Sequence, residues 1–221
     1  MSKVILSKKT LDVLKNFSSI NSSIVFRQGS TVRTISNAEN ILAKYTAEEI
    51  FPVDFAIYDL SQFLSGISLF SDPQLEFANN DFVSIRGGGR SVKYYFSDPE
   101  ITLKSAPEKN VKFPGADIQF NITGDELVSL QKASAVYSLP DLTVDTTGDT
   151  IKLILRDKEN DTSNTYEQST SGDFTGSYSL DVKIENIRLL PGDYTVKISK
   201  HLISEWTNQT TDLTYYIALE P

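Results

Sequence analysis

Lys8, Lys9 and Lys15 lie beside a run in which Leu11, Leu14, Phe17 and Ile20 recur at helical spacing. A cationic helix face of this kind can meet phosphates, although taken alone it reads rather as an ordinary solvated face. Arg86-Gly87-Gly88-Gly89-Arg90 sets two guanidiniums around three glycines. That pattern fits a phosphate-binding loop or a hairpin turn. It lacks the Gly-Lys-Ser/Thr ending and following helix of a P-loop, which favours the turn. Asp157-x-Glu159-x-Asp161 starts like a calcium loop, but Thr162 stands where glycine is needed and Gln168 where glutamate is needed. It reads as a solvated hairpin. His201, the one histidine, lies between strands and reads as a surface or interface residue. No catalytic residue, metal site or cofactor is expected.

The composition sets the outer limits. The 221 residues include 21 Lys+Arg against 29 Asp+Glu, a formal net charge of −8, which excludes a wholly basic nucleic-acid coat but not a local basic patch. With no cysteine, disulfide scaffolds and thiolate chemistry are excluded, and one histidine excludes multi-histidine metal sites. Hydrophobic residues at 39% are too many for a disordered chain. No apolar h-region follows the first residues and no apolar run approaches a membrane span, so a soluble, non-secreted, cytosolic protein is expected. Charge is segregated: residues 1–33 hold six basic residues and one acid, whereas residues 34–85 hold one basic residue and eight acids.

These residues need elements to position them. The periodicities predict a strand at Val4–Leu6, a helix opened by Ser7 or Thr10, and a hairpin of Ile24–Phe26 with Thr31–Ile35. They further predict a strand at Phe55–Tyr58, a helix Leu60–Leu69 capped by Asp59, and strands at Leu75–Phe77, Phe82–Ile85 and Ser91–Phe96. Residues 97–115, with Pro99, Pro107 and Pro114, read as a linker. Beyond it come a strand at Asp117–Ile122 and a third helix opened by Thr123-Gly124-Asp125-Glu126, with Leu127, Leu130, Ala133 or Ser134, and Val136-Tyr137 inward. Strands follow at Leu142–Val144, Ile151–Leu155, Thr165–Gln168 and Tyr178–Val182. A short helix at Ile184–Leu190 and strands at Tyr194–Ile198, Leu202–Trp206 and Leu213–Leu219 close the chain.

The two halves repeat. Leu11-x-x-Leu14-x-x-x-Ser18-x-Ile20 matches Leu127-x-x-Leu130-x-x-x-Ser134-x-Val136, and the order strand, short helix, strand around Leu60–Leu69 recurs around Ile184–Leu190. The expected class is α+β: two similar β-rich domains, each with two short helices.

This plan resembles that of DNA polymerase sliding clamps, the processivity factors. Leu14-Lys15-Asn16-Phe17-Ser18-Ser19-Ile20-Asn21-Ser22, Phe55-Ala56-Ile57-Tyr58-Asp59-Leu60-x-x-Phe63-Leu64, Ser97-Asp98-Pro99, Leu190-Pro191-Gly192-Asp193-Tyr194 and Tyr215-Tyr216-Ile217-Ala218-Leu219-Glu220 resemble, in order over nearly the whole chain, the trimeric clamp of T4-like bacteriophages. Asp157–Ser169 and Ile35–Pro52 match least.

The resemblance implies a DNA clamp fold with an N-terminal domain 1–97, a linker 98–116 and a C-terminal domain 117–221. It implies a ring-forming homotrimer whose helices line a hole around double-stranded DNA. Lys8, Lys9, Lys15, Lys132 and Arg188 would face the DNA, with Arg90 a secondary contact. Val111, Phe113, Tyr216 and Ala218 would frame a pocket for partner peptides. Val92, Tyr94 and Phe96 of one subunit would meet Thr165 and Glu167 of the next. The implied partners are the replicative DNA polymerase, a clamp loader and late-transcription factors, in the cytoplasm of an infected bacterium. A trimeric phage tail or baseplate β-protein, and a β-enzyme built on a carboxylate pair, are the competing readings. The first leaves the internal repeat with basic helices unexplained, and the second needs a cleft that the sequence does not announce.

Overall fold

The computed structural model describes residues 2–98 and 104–221; Pro99 and the rest of the 99–103 part of the expected linker lie outside the described residues. The chain forms two compact units, 1–109 and 110–221.

Unit 1 runs β1 (Ser2–Val4), α1 (Lys8–Ile20), β2 (Ile24–Phe26), β3 (Gly29–Ile35), β4 (Ile41–Phe51), β5 (Phe55–Ile57), α2 (Leu60–Ser68), β6 (Gln74–Phe77), β7 (Phe82–Gly87) and β8 (Arg90–Tyr95). One antiparallel sheet has the order β1-β6-β7-β8, β2 pairs with β5, and β3 forms a hairpin with β4. Phe26, Phe51, Phe55, Phe77 and Phe96 form a chain of ring contacts, the tightest being Phe26 stacked on Phe55 at 4.4 Å.

Unit 2 runs β9 (Ile118–Ile122), α3 (Gly124–Tyr137), β10 (Asp141–Asp145), β11 (Ile151–Arg156), β12 (Tyr166–Thr170), β13 (Gly172–Phe174), β14 (Ser179–Lys183), a 3-10 turn (Ile184–Asn186), β15 (Tyr194–Ser199), β16 (Ile203–Asn208) and β17 (Leu213–Ala218). One sheet carries β13-β9-β15-β16-β17 and the other β12-β11-β10-β14.

The repeat seen in the sequence is a repeat of topology. In each unit the first strand pairs with the strand that follows the second helical element, and a meander continues from there: β1-β6-β7-β8 and β9-β15-β16-β17. In each, the strand after the first helix pairs with the strand just before the second helical element, β2 with β5 and β10 with β14. Residues 104–117 hold no helix or strand.

Several local expectations are corrected. Ile24–Phe26 does not pair with Thr31–Ile35, because Asp54 captures the preceding turn: its carboxylate accepts from the Gln28 amide at 2.7 Å and pairs with Arg27 at 2.9 Å, which delivers β2 to β5. Strand β4 was not anticipated, although Ile41, Ala43, Tyr45 and Ala47 alternate inward along it. The first strand is Ser2–Val4 rather than Val4–Leu6. On α1, Val13 is buried while Leu11 stays half-exposed. Val136 and Tyr137 point outward, 73% and 51% exposed. Ser138 enters the left-handed region at φ 55°, and the Ser134 hydroxyl donates to the Leu139 carbonyl at 2.7 Å, so Leu139 takes the buried place. The helix expected over Ile184–Leu190 is only the 3-10 turn. Ile187 leaves helical geometry (φ −81°, ψ 68°), and the Leu190 amide donates to the Tyr215 hydroxyl at 3.0 Å. Strand β13 escaped notice because Gly172 sits so close to the Gln119 carbonyl and the Phe120 side chain that no Cβ fits, a constraint without local periodicity.

One buried ion pair ties β10 to β14. Asp141 is fully buried; its carboxylate receives Lys183 at 2.7 Å and the Lys158 amide at 3.1 Å. Burial pushes the Asp141 carboxyl up, but Lys183 and the amide outweigh it and hold it below the usual aspartate range. A carboxyl depressed in the folded state stabilises above its unfolded value and loses that contribution as pH falls through the folded one. Asp141→Asn is therefore expected to lower stability to urea by about 2 kcal/mol at pH 7, since one partner of a buried pair is lost. The gap to the parent should close below about pH 4, where the parent's carboxylates protonate. A constant gap from pH 7 to pH 3 would contradict the pairing.

Candidate nucleic-acid interface and partner surfaces

Helix α1 is fixed at its start by a polar knot. Ser7 caps it by accepting from the Thr10 amide at 3.2 Å, and Glu49 on β4 accepts from the Ser7 amide and from the Thr10 hydroxyl. The Tyr45 hydroxyl shares a hydrogen bond with Thr10 at 3.0 Å. Burial raises the Glu49 carboxyl, but the hydrogen bonds from Thr10 and Ser7 outweigh it and keep its pKa lowered. A carboxylate at a helix N-terminus also complements the helix dipole. Val13, Leu14, Phe17 and Ile20 then bury the inner face, which leaves Lys8, Asp12, Lys15 and Ser19 on the outer one.

The three lysines of α1 are not equivalent. Lys9 pairs with Glu48 at 3.0 Å, which raises its pKa. Lys8 and Lys15 are exposed and form no ion pair among the described residues. Helix α2, capped by Asp59 through the Gln62 amide at 2.8 Å, packs beside α1. Its open face carries Ser61, Gln62, Ser65 and Ser68, all uncharged. Between the two helices lies a groove of about 320 Å³ lined by Lys15, Ser18, Ser61, Leu64, Ser65 and Ser68. One cation among hydroxyls, with no carboxylate in the lining, suits the phosphate backbone and reads no base edge.

In unit 2, α3 opens with a capping box between Thr123 and Glu126 and exposes Asp125, Ser129 and Lys132. The segment 187–192 packs along it, with the Gln131 amide donating to the Ile187 carbonyl at 3.2 Å. Arg188 is thus exposed on a segment without regular structure next to α3, not on a helix, and its guanidinium donates to the Glu185 carbonyl at 2.9 Å. Arg90 stands at the start of β8, and its guanidinium reaches the Leu69 carbonyl at the C-terminal end of α2 at 3.5 Å. The Gly88-Gly89 tip has positive φ at both residues and joins β7 to β8 as a two-residue hairpin turn.

Strands β8 and β12 each lie at the edge of a sheet. Among the described residues β8 pairs only with β7, and β12 only with β11. Each leaves one row of backbone groups without a strand partner. Of the residues expected at a joint, Tyr94 donates to the Asp59 carbonyl at 3.1 Å and sets its ring edge-on to Phe63, and Phe96 lies against Phe55; both turn into their own unit. Val92 is 41% exposed. Thr165 lies just ahead of β12, and Glu167 on β12 pairs with Lys152 at 2.7 Å.

Strand β17 alternates as expected, with Tyr215 and Ile217 buried and Tyr216 and Ala218 on the other face. Tyr216 lies opposite Glu205, which pairs with Lys197 at 3.2 Å. Burial, reinforced by the Glu205 carboxylate, pushes the Tyr216 phenol up to about 12. Val111 and Phe113 are half-buried on the segment ahead of β9 in the same unit. The role of Glu48 and Glu49 was missed from the sequence; the signal was the alternation that marks β4. Among the described residues no cluster of acidic and histidine side chains could hold a metal, and no helix is long and apolar enough to cross a membrane.

Residues 6–95 match the family model described as DNA polymerase processivity factor. The sliding clamp of Vibrio phage KVP40 is 34% identical over 221 aligned residues, covering 97% of this chain and 98% of that protein. The sliding clamp of Enterobacteria phage T4 is 28% identical, covering 86% of this chain and 84% of that protein. A solved structure of A. fulgidus PCNA bound to the C-terminal region of FEN-1 shares the fold, with a TM-score of 0.73 at 12% identity, covering 100% of this chain and 99% of that one.

The knot beneath α1 is open to test. Glu49→Ala strips the Ser7 amide and the Thr10 hydroxyl of their acceptor and should cost about 1–2 kcal/mol by chemical denaturation. Hydrogen exchange at the first amides of α1 should accelerate while that of α3 stays unchanged. Equal exchange in both helices would refute the anchoring role.

Proposed function

This chain belongs to the sliding-clamp family of DNA polymerase processivity factors, and from that premise we propose that three copies close head to tail into a ring around duplex DNA. The observation that carries the proposal is the pair of open edges, β8 in one unit and β12 in the other. A chain with two different open edges at two places forms a heterologous joint, and such joints either close into a ring or run on as a filament. Val92 contributes apolar area at the joint, Tyr94 and Phe96 brace β8 from behind, and Thr165 and Glu167 stand on the opposing side.

The helices α1, α2 and α3 line the hole. Lys8 and Lys15 supply its principal free charge, Lys132 and Arg188 add to it, and Lys9 contributes less because Glu48 already engages it. Arg90, which reaches the C-terminal end of α2, is at most a secondary DNA contact. Because encirclement retains the DNA, the phosphate contacts need only be weak and salt-sensitive, which permits sliding. The connector 98–116 leads to Val111 and Phe113, which with Tyr216 and Ala218 receive the peptide tails of the replicative polymerase and of other replication or late-transcription proteins. A clamp loader opens and closes the ring. The role is that of an accessory factor with no catalytic centre of its own, acting in the cytoplasm of an infected bacterium. A phage tail or baseplate protein finds no support.

Two outcomes are expected. Sedimentation should give a mass three times 24.6 kDa, and a persistent monomer or a two-fold dimer would contradict the joint. Lys8→Glu combined with Lys15→Glu should keep that mass yet reduce processive synthesis at moderate salt by about tenfold or more; unchanged synthesis would remove these lysines from the bore.

A further inference from the structure

The sheet β1-β6-β7-β8 has two faces. The inner one, with Val83, Ile85 and Tyr94, packs toward α2, where Phe63 meets Tyr94 and Gly66 approaches Ile85. The register places Phe82, Ser84 and Arg86 of β7 opposite Tyr95, Lys93 and Ser91 of β8 on the other face. Across that face the cations are Lys3, Arg86 and Lys93, with Arg90 at the turn. The acids facing them are Glu76, which engages both Lys3 (3.0 Å) and Arg86 (2.8 Å), and the loop residues Asp72 and Asp81. Lys93 is left to its cation–π contact with Phe82 at 4.6 Å, and Arg90 lies 5.9 Å from the Phe70 ring. Tyr95 pairs with the Phe82 ring at 5.5 Å and is 65% exposed.

At the turn end the sheet opens into a cleft of about 490 Å³, lined by Arg86 and Arg90, the carboxylates of Asp72 and Glu76, Gln74, Ser71, Ser91 and the three glycines, with Arg90 also reaching the Leu69 carbonyl at 3.5 Å. Gly87 runs so close to the Ser71-Asp72 loop that a Cβ would lie 2.6 Å from the Ser71 carbonyl oxygen, so the cleft depends on a bare backbone there. From Ser91 to Tyr95 the face extends about 13 Å, room for a few nucleotides.

We infer that this face binds single-stranded DNA, with phosphates at the Arg86–Arg90 cleft and beside Lys93 and a base stacked on Tyr95. Cations alternating with an exposed aromatic platform are the recurrent solution for an unpaired strand, whose base faces are free to stack. A duplex offers no such faces, and an acidic peptide would leave the Tyr95 platform without a role. Lys93 and Tyr95 lie on the face of the sheet opposite the one that packs on α2, so this part of the site is separate from the α1–α2 face.

The experiment uses the full chain and a short fluorescein-labelled oligothymidylate, read by anisotropy at low salt. The strand has free ends, so encirclement cannot hold it. Binding should be salt-sensitive, and Lys93→Gln combined with Tyr95→Ser should weaken it by about tenfold or more. Lys8→Glu with Lys15→Glu should leave oligothymidylate binding intact, and the mass of the Lys93/Tyr95 variant, measured alongside, reports separately on the β8 joint. The inference is overturned if the Lys93/Tyr95 variant binds like the parent, if the Lys8/Lys15 variant alone loses binding, or if the parent binds polyglutamate but not the oligonucleotide. Failure of the ring would appear separately, as a wrong mass or lost retention.

Discussion

An unpaired β-edge is an incomplete structure: its amides and carbonyls face outward in the same row that a neighbouring strand would satisfy. Among the edge strands of this chain, β8 and β12 differ. Strand β8 comes from a three-strand meander packed on α2, whereas β12 ends the sheet that runs through β11 and β10 to β14. Everything in the proposed function depends on these two edges meeting. Without the joint there is no ring, and without a ring Lys8 and Lys15 are a thin basic stripe on an acidic protein, too few to hold DNA by charge. The weakness of the helix faces, with an uncharged α2 and with Asp125 beside Lys132, makes sense only where topology supplies retention.

The electrostatics follow the same division. Many of the acids stand in ion pairs and capping contacts. Asp141 with Lys183, Asp181 with Arg156 and Glu205 with Lys197 brace sheets, Asp54 fixes the path from β2 to β3, and Glu49 fixes the start of α1. The depressed carboxyls of Asp141, Asp54 and Glu49 place their share of this bracing above the acid range. Acids thus build the frame, and a few unpaired cations are left for the ligand.

Much of this was legible in the sequence, for physical reasons that can be named. The caps Ser7, Asp59 and Thr123 stand directly before apolar residues at helical spacing, and all three helices begin where those residues say. Alternation marked β9, β11 and β17. What failed was non-local. The partner of β2 is chosen by Asp54, nearly thirty residues away. The inward face at the end of α3 is decided by the left-handed Ser138, which hands the buried place to Leu139. The segment after β14 looks helical, but Ile187 leaves helical geometry and the Tyr215 hydroxyl takes the Leu190 amide. Lys9 looked the same as Lys8 and Lys15 until β4 brought Glu48 to it, and Arg188 lost its helix. Residue types announced the chemistry; pairing across the sheets decided which of them were free to perform it.

The central claim is topological, and retention on DNA tests it most directly. Loaded with a clamp loader and ATP onto nicked circular duplex, the protein should remain bound through gel filtration and run off once the circle is cut. Equal loss from circular and linear DNA, or retention on both, would contradict encirclement.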